Sequence, residues 1–480
     1  MSTFATCIPI LGCPIKGKVT ACIAAVGVAE GVLAFMQLHG LSQSGNSLYH
    51  LSGTFYNPGP LGGYLALGLS PCMAEIMELK SETRRRVAVV VMTLLLTIMP
   101  ATMSRTAWVA GAVGVCYVAY NTTWGREQVE RYKLAGTKRR ITLLVTAGAM
   151  TIAGIWLTWQ LKPDSALGRL MMWRMSMRAI ATSLWTGHTT FEAAYAEAQE
   201  KYFATGGEEW EMRVADCPQY AFCDILDMAV RHGVPVTVAL LTIVTYALRR
   251  GHKLGRHGET GALLTLIVFS CGSYPMRLPA FIVAGVVLIF GCTYTPKMRT
   301  WTLMATGVVG MVLCVGALPK MKSRHAAMKE WEAAKILYDN KDYGAAAGRY
   351  EELRERMNWN ATYMYEYGLS LSKTRRHAEA IDILSQTLQI SSDAMVLNTL
   401  GKSYQALGQY AEAERHYKRS VRRMPNRLYP HYLLFMLYAE SEWDKPEKRR
   451  AEAETIVKMP VKVESPATKE IQATAQEYLK

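Results

Sequence analysis

Apolar stretches of about 20 residues recur along the first two thirds of the chain and stop near residue 319. The hydrocarbon core of a bilayer is about 30 Å thick, so a helix that crosses it needs roughly 20 consecutive apolar residues. The pattern therefore predicts an all-α, polytopic bundle of about nine membrane-spanning helices. The predicted spans are 19–38, 60–79, 87–103, 106–122, 141–161, 233–248, 260–275, 278–295 and 300–318. Glu30 interrupts the first span, which is the weakest of the set.

Residues 319–480 follow a different pattern, because they are charged, rich in Ala and Tyr, and free of Cys. A helical motif repeats there at a spacing of roughly 34 residues, the length of a tetratricopeptide unit. Small residues share one position of the repeat and bulky residues share another: Ala346, Ala380 and Ala413, then Tyr350, Leu384 and Tyr417. Leu400-Gly401, Tyr404 and Pro425 also match the tetratricopeptide pattern.

The tail is therefore predicted to be a soluble solenoid of helical hairpins, with 427–457 adding a fourth pair or a cap. Such arrays form concave surfaces that bind peptides or proteins, which predicts a protein partner for this domain. A rigid structural appendage is the alternative interpretation.

The net charge of +15 is distributed unevenly among the loops. One set of connections is basic, and it contains Lys16, Lys18, Lys80, Arg84, Arg85, Arg86, the segment from Arg126 to Arg140, Arg249, Arg250, Lys253, Arg256, Lys297 and Arg299. The other set is nearly free of charge, since 39–59 has no Lys or Arg and the turns near 104 and 276 have one Arg each. Lys and Arg accumulate on the cytoplasmic side of membranes, so the charge is assigned to membrane orientation and not to nucleic acid. The N-terminus is predicted to be cytoplasmic, and an odd number of spans places the tail outside the cytoplasm.

Two loops fall on the predicted outer side. The first, 39–59, ends in the turn-forming sequence Asn57-Pro58-Gly59-Pro60. The second, 162–232, is long and polar and contains Arg169 and Arg174, and long polar loops between spans often carry function. The predicted organisation is thus a membrane domain over 1–318 with the large loop 162–232, followed by a soluble domain over 319–480.

No motif of a soluble enzyme is present, and no Cys/His spacing typical of a metal site occurs. Most Cys residues lie in apolar stretches and act there as small apolar side chains. Cys217 and Cys223 lie near each other in a polar region, where a disulfide or simple helix packing is expected. Arg105 stands at the outer end of a span, in Ser104-Arg105-Thr106-Ala107-Trp108. It either extends toward the lipid headgroups or binds a phosphate group, for which a guanidinium is well shaped.

Several motifs together resemble the O-antigen ligase and polymerase family. They are Phe55-Tyr56-Asn57-Pro58-Gly59-Pro60 with Gly63-Tyr64-Leu65, then Ser104 to Trp108, Asp164 to Arg174, Gly187 to Tyr195, and Ala221 to Gly233. They occur in the family's order between predicted spans, over about residues 20–250. Fusion to C-terminal tetratricopeptide repeats is also familiar in this family.

The resemblance implies a multi-pass inner-membrane glycosyltransferase of the GT-C type whose repeats lie in the periplasm. Such proteins transfer a glycan from a polyprenyl pyrophosphate to a lipid A core, another glycan or a protein hydroxyl, with inversion and without a cofactor or metal. By this resemblance, Arg105, Arg169 and Arg174 hold the pyrophosphate, because fixed cations stabilise the charge that develops on the leaving group. Asn57 and Gln219 belong to the acceptor side or to the structure of the two outer loops.

Two features depart from the family. Many members have His followed by Asn or Asn-Glu in the helix after the large loop, and these positions are Phe222, Cys223 and Asp224 here. Asp224, helped by Gln219 or Asp216, is the candidate replacement base, and an ordinary acid on a helix surface is the alternative. His188 is expected to be a loop residue. The chain also has fewer spans before the Asn-Pro motif, which is typical of a divergent or degenerate member.

Two other functional classes remain open. One is a non-catalytic envelope scaffold whose repeats recruit partner proteins, and it would not depend on Arg105 or Arg169. The other is a transporter, which is disfavoured because intramembrane charges are few and no pair of broken helices is evident.

Overall fold

A computed structural model describes residues 18–78, 81–134, 136–142, 145–146, 148–149, 163–295, 322–461 and 464–480. Within these ranges the chain is α-helical, with short 3-10 turns and no strand, which confirms the predicted all-α class. It divides into two compact units. The first contains the described residues of Met1–Pro163, Phe222–Ala229 and Val234–Met298. The second contains those of Asp164–Ala221, Val230–Gly233 and Arg299–Lys480.

The helices of the first unit follow the apolar stretches of the sequence. They are α1 (Lys18–Leu38), α2 (Pro58–Glu78), α3 (Glu82–Ile98), α4 (Arg105–Asn121), the more polar α5 (Thr123–Leu134), α9 (Asp224–Lys253), α10 (His257–Ser270) and α11 (Pro279–Thr293). Among the described residues, three helical segments are long and apolar enough to cross a membrane: Val19–Leu38, Glu82–Thr102 and Asp224–Lys253. The predicted count of nine is therefore not confirmed. Of the predicted spans, 300–318 and most of 141–161 lie outside the described residues.

Helix α2 is the central element of the first unit. It is buried from Pro60 to Cys72 and packs against α1, α3, α4 and α10. Small residues make this packing close, since a Cβ added to Gly114 would lie 2.0 Å from Thr265 Oγ1 and 2.4 Å from Ser70 Oγ. Gly and Ser at helix contacts are typical of bundles in lipid, where close backbone approach replaces the hydrophobic effect between helices.

Polar residues inside α1 explain the interruption of the first apolar stretch. The Glu30 carboxylate accepts hydrogen bonds from Thr54 N at 3.0 Å and Thr54 Oγ1 at 2.5 Å. Two turns further along the same helix, Gln37 Oε1 accepts from Ser52 N at 3.0 Å and Gly53 N at 2.8 Å. Because an unpaired backbone N–H is costly when buried, these side chains fix the loop before α2. Glu30 therefore interrupts the apolar stretch because it is the hydrogen-bond acceptor for Thr54 in that loop.

The basic connections meet at one end of the first unit. The Arg256 guanidinium donates to the carbonyls of Gly291 and, at 2.8 Å, Tyr294, which end α11. At the same end Tyr117 Oη lies 2.9 Å from His252 Nδ1, so the C-terminal parts of α4 and α9 are adjacent. The chain therefore returns its basic ends to a common face, as positive charge on one membrane side requires.

The second unit joins the large loop to the repeats. Its helices are α6 (Pro163–Thr182, with Pro163 assigned to the first unit), α7 (Phe191–Ala204), α8 (Glu209–Val214), α12 (322–339), α13 (Tyr343–Met357), α14 (Ala361–Lys373), α15 (His377–Thr387), α16 (Ala394–Ala406), α17 (Tyr410–Arg423), α18 (Leu428–Leu437), α19 (Pro446–Lys458) and α20 (Pro466–Leu479). Helices α13 to α19 each pack against the next helix in sequence, and buried residues of α12 share the core of α13 and α14. Helices α18 and α19 supply the additional pair predicted for 427–457.

The repeat positions behave as the sequence predicts. The shared small and bulky positions are all fully buried: Ala346, Ala380, Ala413, Tyr350, Leu384 and Tyr417. A Cβ added to Gly401 would lie 2.3 Å from Tyr417 Cε1, so glycine lets the two helices of that hairpin approach. The turns repeat as well, since Lys341, Arg375 and Gly408 all have a left-handed backbone, with φ values of 64°, 64° and 72°.

The large loop docks on the repeats through buried polar contacts. Glu200 of α7 forms ion pairs with Arg419 at 2.8 Å and with Arg423, whose side chain is 3% exposed. Gln199 Nε2 donates to the Arg423 carbonyl at 2.5 Å, and Asn426 Nδ2 donates to the carbonyls of Arg213 and Ala215 at 3.0 Å each. Because a buried guanidinium requires a partner, these contacts make the loop and the repeats one structural unit.

Candidate active site

Three helices begin at one end of the first unit, and each begins at a candidate site residue. Asn57 precedes α2, Arg105 is the first residue of α4, and Asp224 is the first residue of α9. The N-terminal end of a helix carries partial positive charge and exposed N–H groups, which favour anions.

The start of α2 packs directly on the turn before α4. Asn57 Oδ1 accepts from Gly59 N at 2.8 Å, so this side chain caps α2 and its structural role is clear. A Cβ on Gly62 would lie 2.6 Å from Thr102 Oγ1 and 3.0 Å from Ser104 Cβ. Glycine at this position therefore lets the Ser104–Arg105 turn approach α2.

Arg105 is a partly exposed side chain at the start of α4. A cation at this end of a helix is unfavourable by roughly 0.3–1 kcal/mol, because it opposes the helix dipole. The next residue, Thr106, donates from Oγ1 to the Gly272 carbonyl at 3.4 Å. This places the start of α4 against the turn between α10 and α11, which also contacts Asp224.

Asp224 is buried, with 5% of its surface exposed, so it is not an acid on an open helix surface. Its Oδ2 accepts from Met276 N at 3.1 Å. One turn later Asp227 pairs with Arg277 at 2.9 Å. Both acids of the first turn of α9 therefore bind the short 3-10 turn Pro275–Arg277. In the sequence, Arg277 stands out only as the single Arg of a short turn, as Arg105 does.

Left-handed backbone occurs beside each of the three motifs. Tyr56, Met103 and Phe222 have φ values of 57°, 50° and 49°. For residues with a Cβ this conformation is costly, and such strain clusters at functional sites. The rings of Phe222 and Tyr274 meet edge to face, with centroids 5.4 Å apart.

Arg169 and Arg174 lie on α6 in the second unit. They are five positions apart along the helix, so their side chains leave it about 140° apart and do not share one face. Arg174 pairs with Glu211, whose side chain is fully buried, and its guanidinium lies 4.9 Å from the Tyr202 ring centroid. Tyr202 Oη donates to the same carboxylate. The charge of Arg174 is thus neutralised by Glu211 within the second unit. No motif in the sequence identifies Glu211 as its partner.

The two ends of the large loop are joined by backbone contacts. His188 N donates to the Val230 carbonyl at 2.7 Å. A Cβ on Gly187 would lie 2.5 Å from the Arg231 carbonyl carbon, and one on Gly233 would lie 2.3 Å from the Trp185 oxygen. Both glycines have positive φ, 71° and 80°, so they are required by conformation and by space. His188 Nε2 lies 2.9 Å from the Ala179 carbonyl, as expected of a structural loop residue.

Gln219 and Asp216 lie in the second unit at a groove of 840 Å³ between the loop and the repeats. Gln219 is exposed, and its carbonyl accepts from Arg231 at 3.1 Å. Asp216 Oδ1 accepts from Cys217 N at 2.8 Å. Cys217 and Cys223 are both free thiols. No cluster of three metal-ligating side chains occurs in the part of the chain that is described.

The candidate residues therefore fall into two sets. Asn57, Arg105 and Asp224 are brought to one end of the first unit, whereas Arg169, Arg174 and Gln219 belong to the second unit. These assignments remain predictions about function.

Comparison with known proteins gives two family matches and no curated relative. Residues 89–241 match the family model of the O-antigen ligases. Residues 359–426 match a tetratricopeptide repeat model, which covers α14 to α17. No curated protein matches the chain. The first match extends from α3 into α9 and includes Arg105, the large loop and Asp224. The predicted resemblance is confirmed: an O-antigen ligase-like region, with helices long and apolar enough to cross a membrane, precedes tetratricopeptide repeats.

Proposed function

We propose that the protein transfers a glycan from a polyprenyl pyrophosphate to an acceptor hydroxyl on the periplasmic face of the inner membrane. The observation that carries the proposal is the position of Arg105. Within the region that matches the O-antigen ligases, it stands at the end of the first unit where three helices begin. A guanidinium is well shaped to bind phosphate oxygens, and the N-terminal ends of helices favour anions, so this end of the unit suits a pyrophosphate.

In this reaction the acceptor oxygen forms a bond to the anomeric carbon as the bond to the pyrophosphate oxygen breaks. The electron pair leaves with the polyprenyl pyrophosphate, whose developing charge Arg105 and Arg169 stabilise. In-line attack inverts the anomeric configuration. Asp224 accepts the hydroxyl proton, since burial beside a helix N-terminus holds its carboxylate in a fixed position. Arg174 holds the loop through Glu211, and no metal or cofactor takes part.

The proposed topology follows the charge distribution. The basic ends of α3 and α9 face the cytoplasm together with the N-terminus, and about nine spans, an odd number, carry the chain to the other side. The domain over 319–480 then lies in the periplasm and recruits a protein partner. The lipid A core, a glycan and a protein hydroxyl are all acceptors of the required chemistry.

One observation favours a second function, that of a scaffold without catalysis. Phe222 replaces the family His, and the Asp224 carboxylate already accepts a backbone N–H from Met276. In that case Asp224 only anchors the turn after α10, and the repeats carry the function by recruiting envelope proteins.

Complementation of a deletion strain separates the two functions. The surface-glycan and glycoprotein ladder is compared for wild type, Arg105→Ala, Arg105→Lys, Arg169→Ala and Asp224→Asn at equal membrane abundance. Arg86→Ala, an exposed guanidinium at the basic end, is the matched control. We expect Arg105→Ala to lower transfer by about 100-fold, the usual effect of removing one charge-stabilising group. A ladder of wild-type intensity in every variant would favour the scaffold.

Purified protein with a polyprenyl-pyrophosphate oligosaccharide then tests the chemistry. The proposal expects transfer that is insensitive to chelators, with the anomeric configuration of the product inverted by NMR. Retention of configuration would contradict in-line attack.

A further inference from the structure

The groove of the second unit has walls from two regions of the chain. One wall comes from the first helices of successive repeat hairpins, with Tyr365 on α14, Met395 and Asn398 on α16, and Tyr429 on α18. The other wall comes from the large loop, over 216–219. The loop segment is held there because Ser392 Oγ donates to the Pro218 carbonyl at 3.3 Å. Anything bound in the groove therefore contacts the repeats and the loop together.

Asn398 is the unsatisfied polar group of this groove. Its side chain is 2% exposed, and its Oδ1 has no hydrogen-bond donor. Its Nδ2 has only a weak acceptor, the Met395 sulfur at 3.5 Å. A buried acceptor without a donor destabilises the folded protein, so the site suits a ligand that carries an N–H group.

The chemistry of the groove selects among possible occupants. An Asn side chain presents one acceptor and two donors, which match the N–H and C=O of a peptide unit. A helical ligand uses its own N–H and C=O groups internally, whereas an extended chain offers them to the groove. Apolar groups also line it, Ile390, Met395 and Ile471 among them, and these accept aliphatic side chains.

The charge of the lining indicates the sign of the ligand. Three carboxylates line the groove, from Glu192, Asp216 and Asp393, against one guanidinium, from Arg427. Glu192 is paired with Arg231 at 3.2 Å, which still leaves two carboxylates against one guanidinium. The groove is thus acidic in a chain of net charge +15. Opposite charges steer association, so a basic ligand is favoured over an anionic one.

We propose that this groove binds an extended polypeptide segment with basic and aliphatic side chains, and that Asn398 pairs with its backbone. The bound segment lies against 216–219, so the partner contacts the ligase-like region and the repeats at once. The family matches assign neither this composite groove nor its ligand. The proposal does not depend on glycan transfer, because binding is measured without a glycan donor.

Fluorescence anisotropy on the full chain in nanodiscs tests it. The probe is a short fluorescein-labelled peptide of Lys, Val, Ser and Pro, in which Pro prevents a helix. Three further probes replace Lys by Glu, replace Pro and Ser by Ala and Leu to allow a helix, or replace the peptide by a neutral oligosaccharide. Asn398→Leu removes the amide at similar volume, and Asn340→Leu changes an exposed Asn of the same unit as the control.

We expect the Lys peptide to bind, and Asn398→Leu to weaken binding by about tenfold, the loss that follows one hydrogen bond to a buried group. Asn340→Leu should leave binding unchanged, and Asp216→Asn should reduce the salt dependence. Equal binding by wild type and a folded Asn398→Leu protein would overturn the proposal. Tighter binding of the Glu peptide, the helical peptide or the oligosaccharide would also overturn it. If Asn398→Leu lowers the melting temperature, its loss of binding is not informative, and the Asp216→Asn variant is the test. An unchanged salt dependence of peptide binding in that variant would show that the peptide does not bind in this groove.

Discussion

The two units differ in where they place their large apolar side chains. On α9 and α11 of the first unit, Val238 and Val283 are 53% and 62% exposed. In the repeats, Tyr350, Tyr363 and Tyr417 are fully buried and fill the space between helices. The helix contacts differ as well. In the first unit Gly114 lies directly against Ser70, whereas in the repeats tyrosine rings fill the contacts between helices. The difference is the one expected between a unit that folds in lipid and a unit that folds in water.

The contact that joins the loop to the repeats should show the largest effect of a single change. Glu200→Ala leaves Arg423 buried without its carboxylate, which costs about 3–5 kcal/mol. Hydrogen exchange on the full chain should show α7 and α17 losing protection together. Glu197→Ala is the control, because its exposed pair with Lys201 contributes at most about 1 kcal/mol. If α17 keeps its protection when α7 loses it, the loop and the repeats are not one unit.

A charge on the exposed face of α11 tests the difference in solvent. Val286→Arg should cost about 2.5–3.5 kcal/mol in a bilayer, because Val286 is 63% exposed at the middle of α11 and an Arg at the centre of a span is expensive. The matched change in the repeats is Leu407→Arg at a residue 45% exposed, where water makes the effect about 0.5 kcal/mol or less. The measurement is the fraction of full chain recovered folded from membranes. Equal recovery of the two variants would mean that the α11 face does not contact lipid.

The repeats should also respond to acid through His416, which lies on α17 at 4% exposure. Burial lowers the pKa of His416 to about 4, and the charges of Arg419 and Arg415 act in the same direction. The unfolded chain binds the proton near its ordinary pKa of about 6.5, so stability is lost as pH falls below that value. We expect roughly 1–2 kcal/mol lower stability of α17 at pH 5 than at pH 7.

Hydrogen exchange of α17 across this pH range measures the effect, with His416→Phe and His377→Phe compared. His416→Phe should reduce the acid sensitivity, and His377→Phe should preserve it. Unchanged acid sensitivity in His416→Phe would assign the effect elsewhere. A second titratable group of α17 is Glu414. Burial raises the pKa of its carboxyl, but hydrogen bonds have the larger effect and hold that pKa well below its usual range; the donors are Lys418, Lys445, Lys448 and Tyr438. Protonation of Glu414 therefore also destabilises the repeats as pH falls.

Local patterns predicted the elements whose partners lie nearby in sequence. The repeat positions from Ala346 to Tyr417 follow from spacing alone, because each hairpin packs on itself and its neighbour. Glu30 appeared as a defect in a span, since its partner Thr54 lies 24 residues away in a loop. The ion pair of Glu200 with Arg423 joins residues 223 apart, and no periodicity reports such a contact.

The candidate site was predictable in its residue types and only partly in its geometry. Arg105 and Asn57 stand in recognisable motifs, and the structure brings them to one end of the first unit. The sequence could not show that Glu211 neutralises Arg174, nor that Asp224 binds the Met276 N–H, because both depend on the folded turns. Arg277 was missed because its partner Asp227 belongs to another helix.

The crossing of Gly187 and Gly233 has a consequence for how this protein can change. The chain leaves and returns at nearly the same point, so residues 188–232 form an excursion closed at its base. Because loop-closure entropy grows only slowly with length, residues can be inserted near its far end at small cost in stability. The exposed turn at Gly206, between α7 and α8, is therefore where this excursion can lengthen without displacing Asp224 or the ion pairs of Glu200.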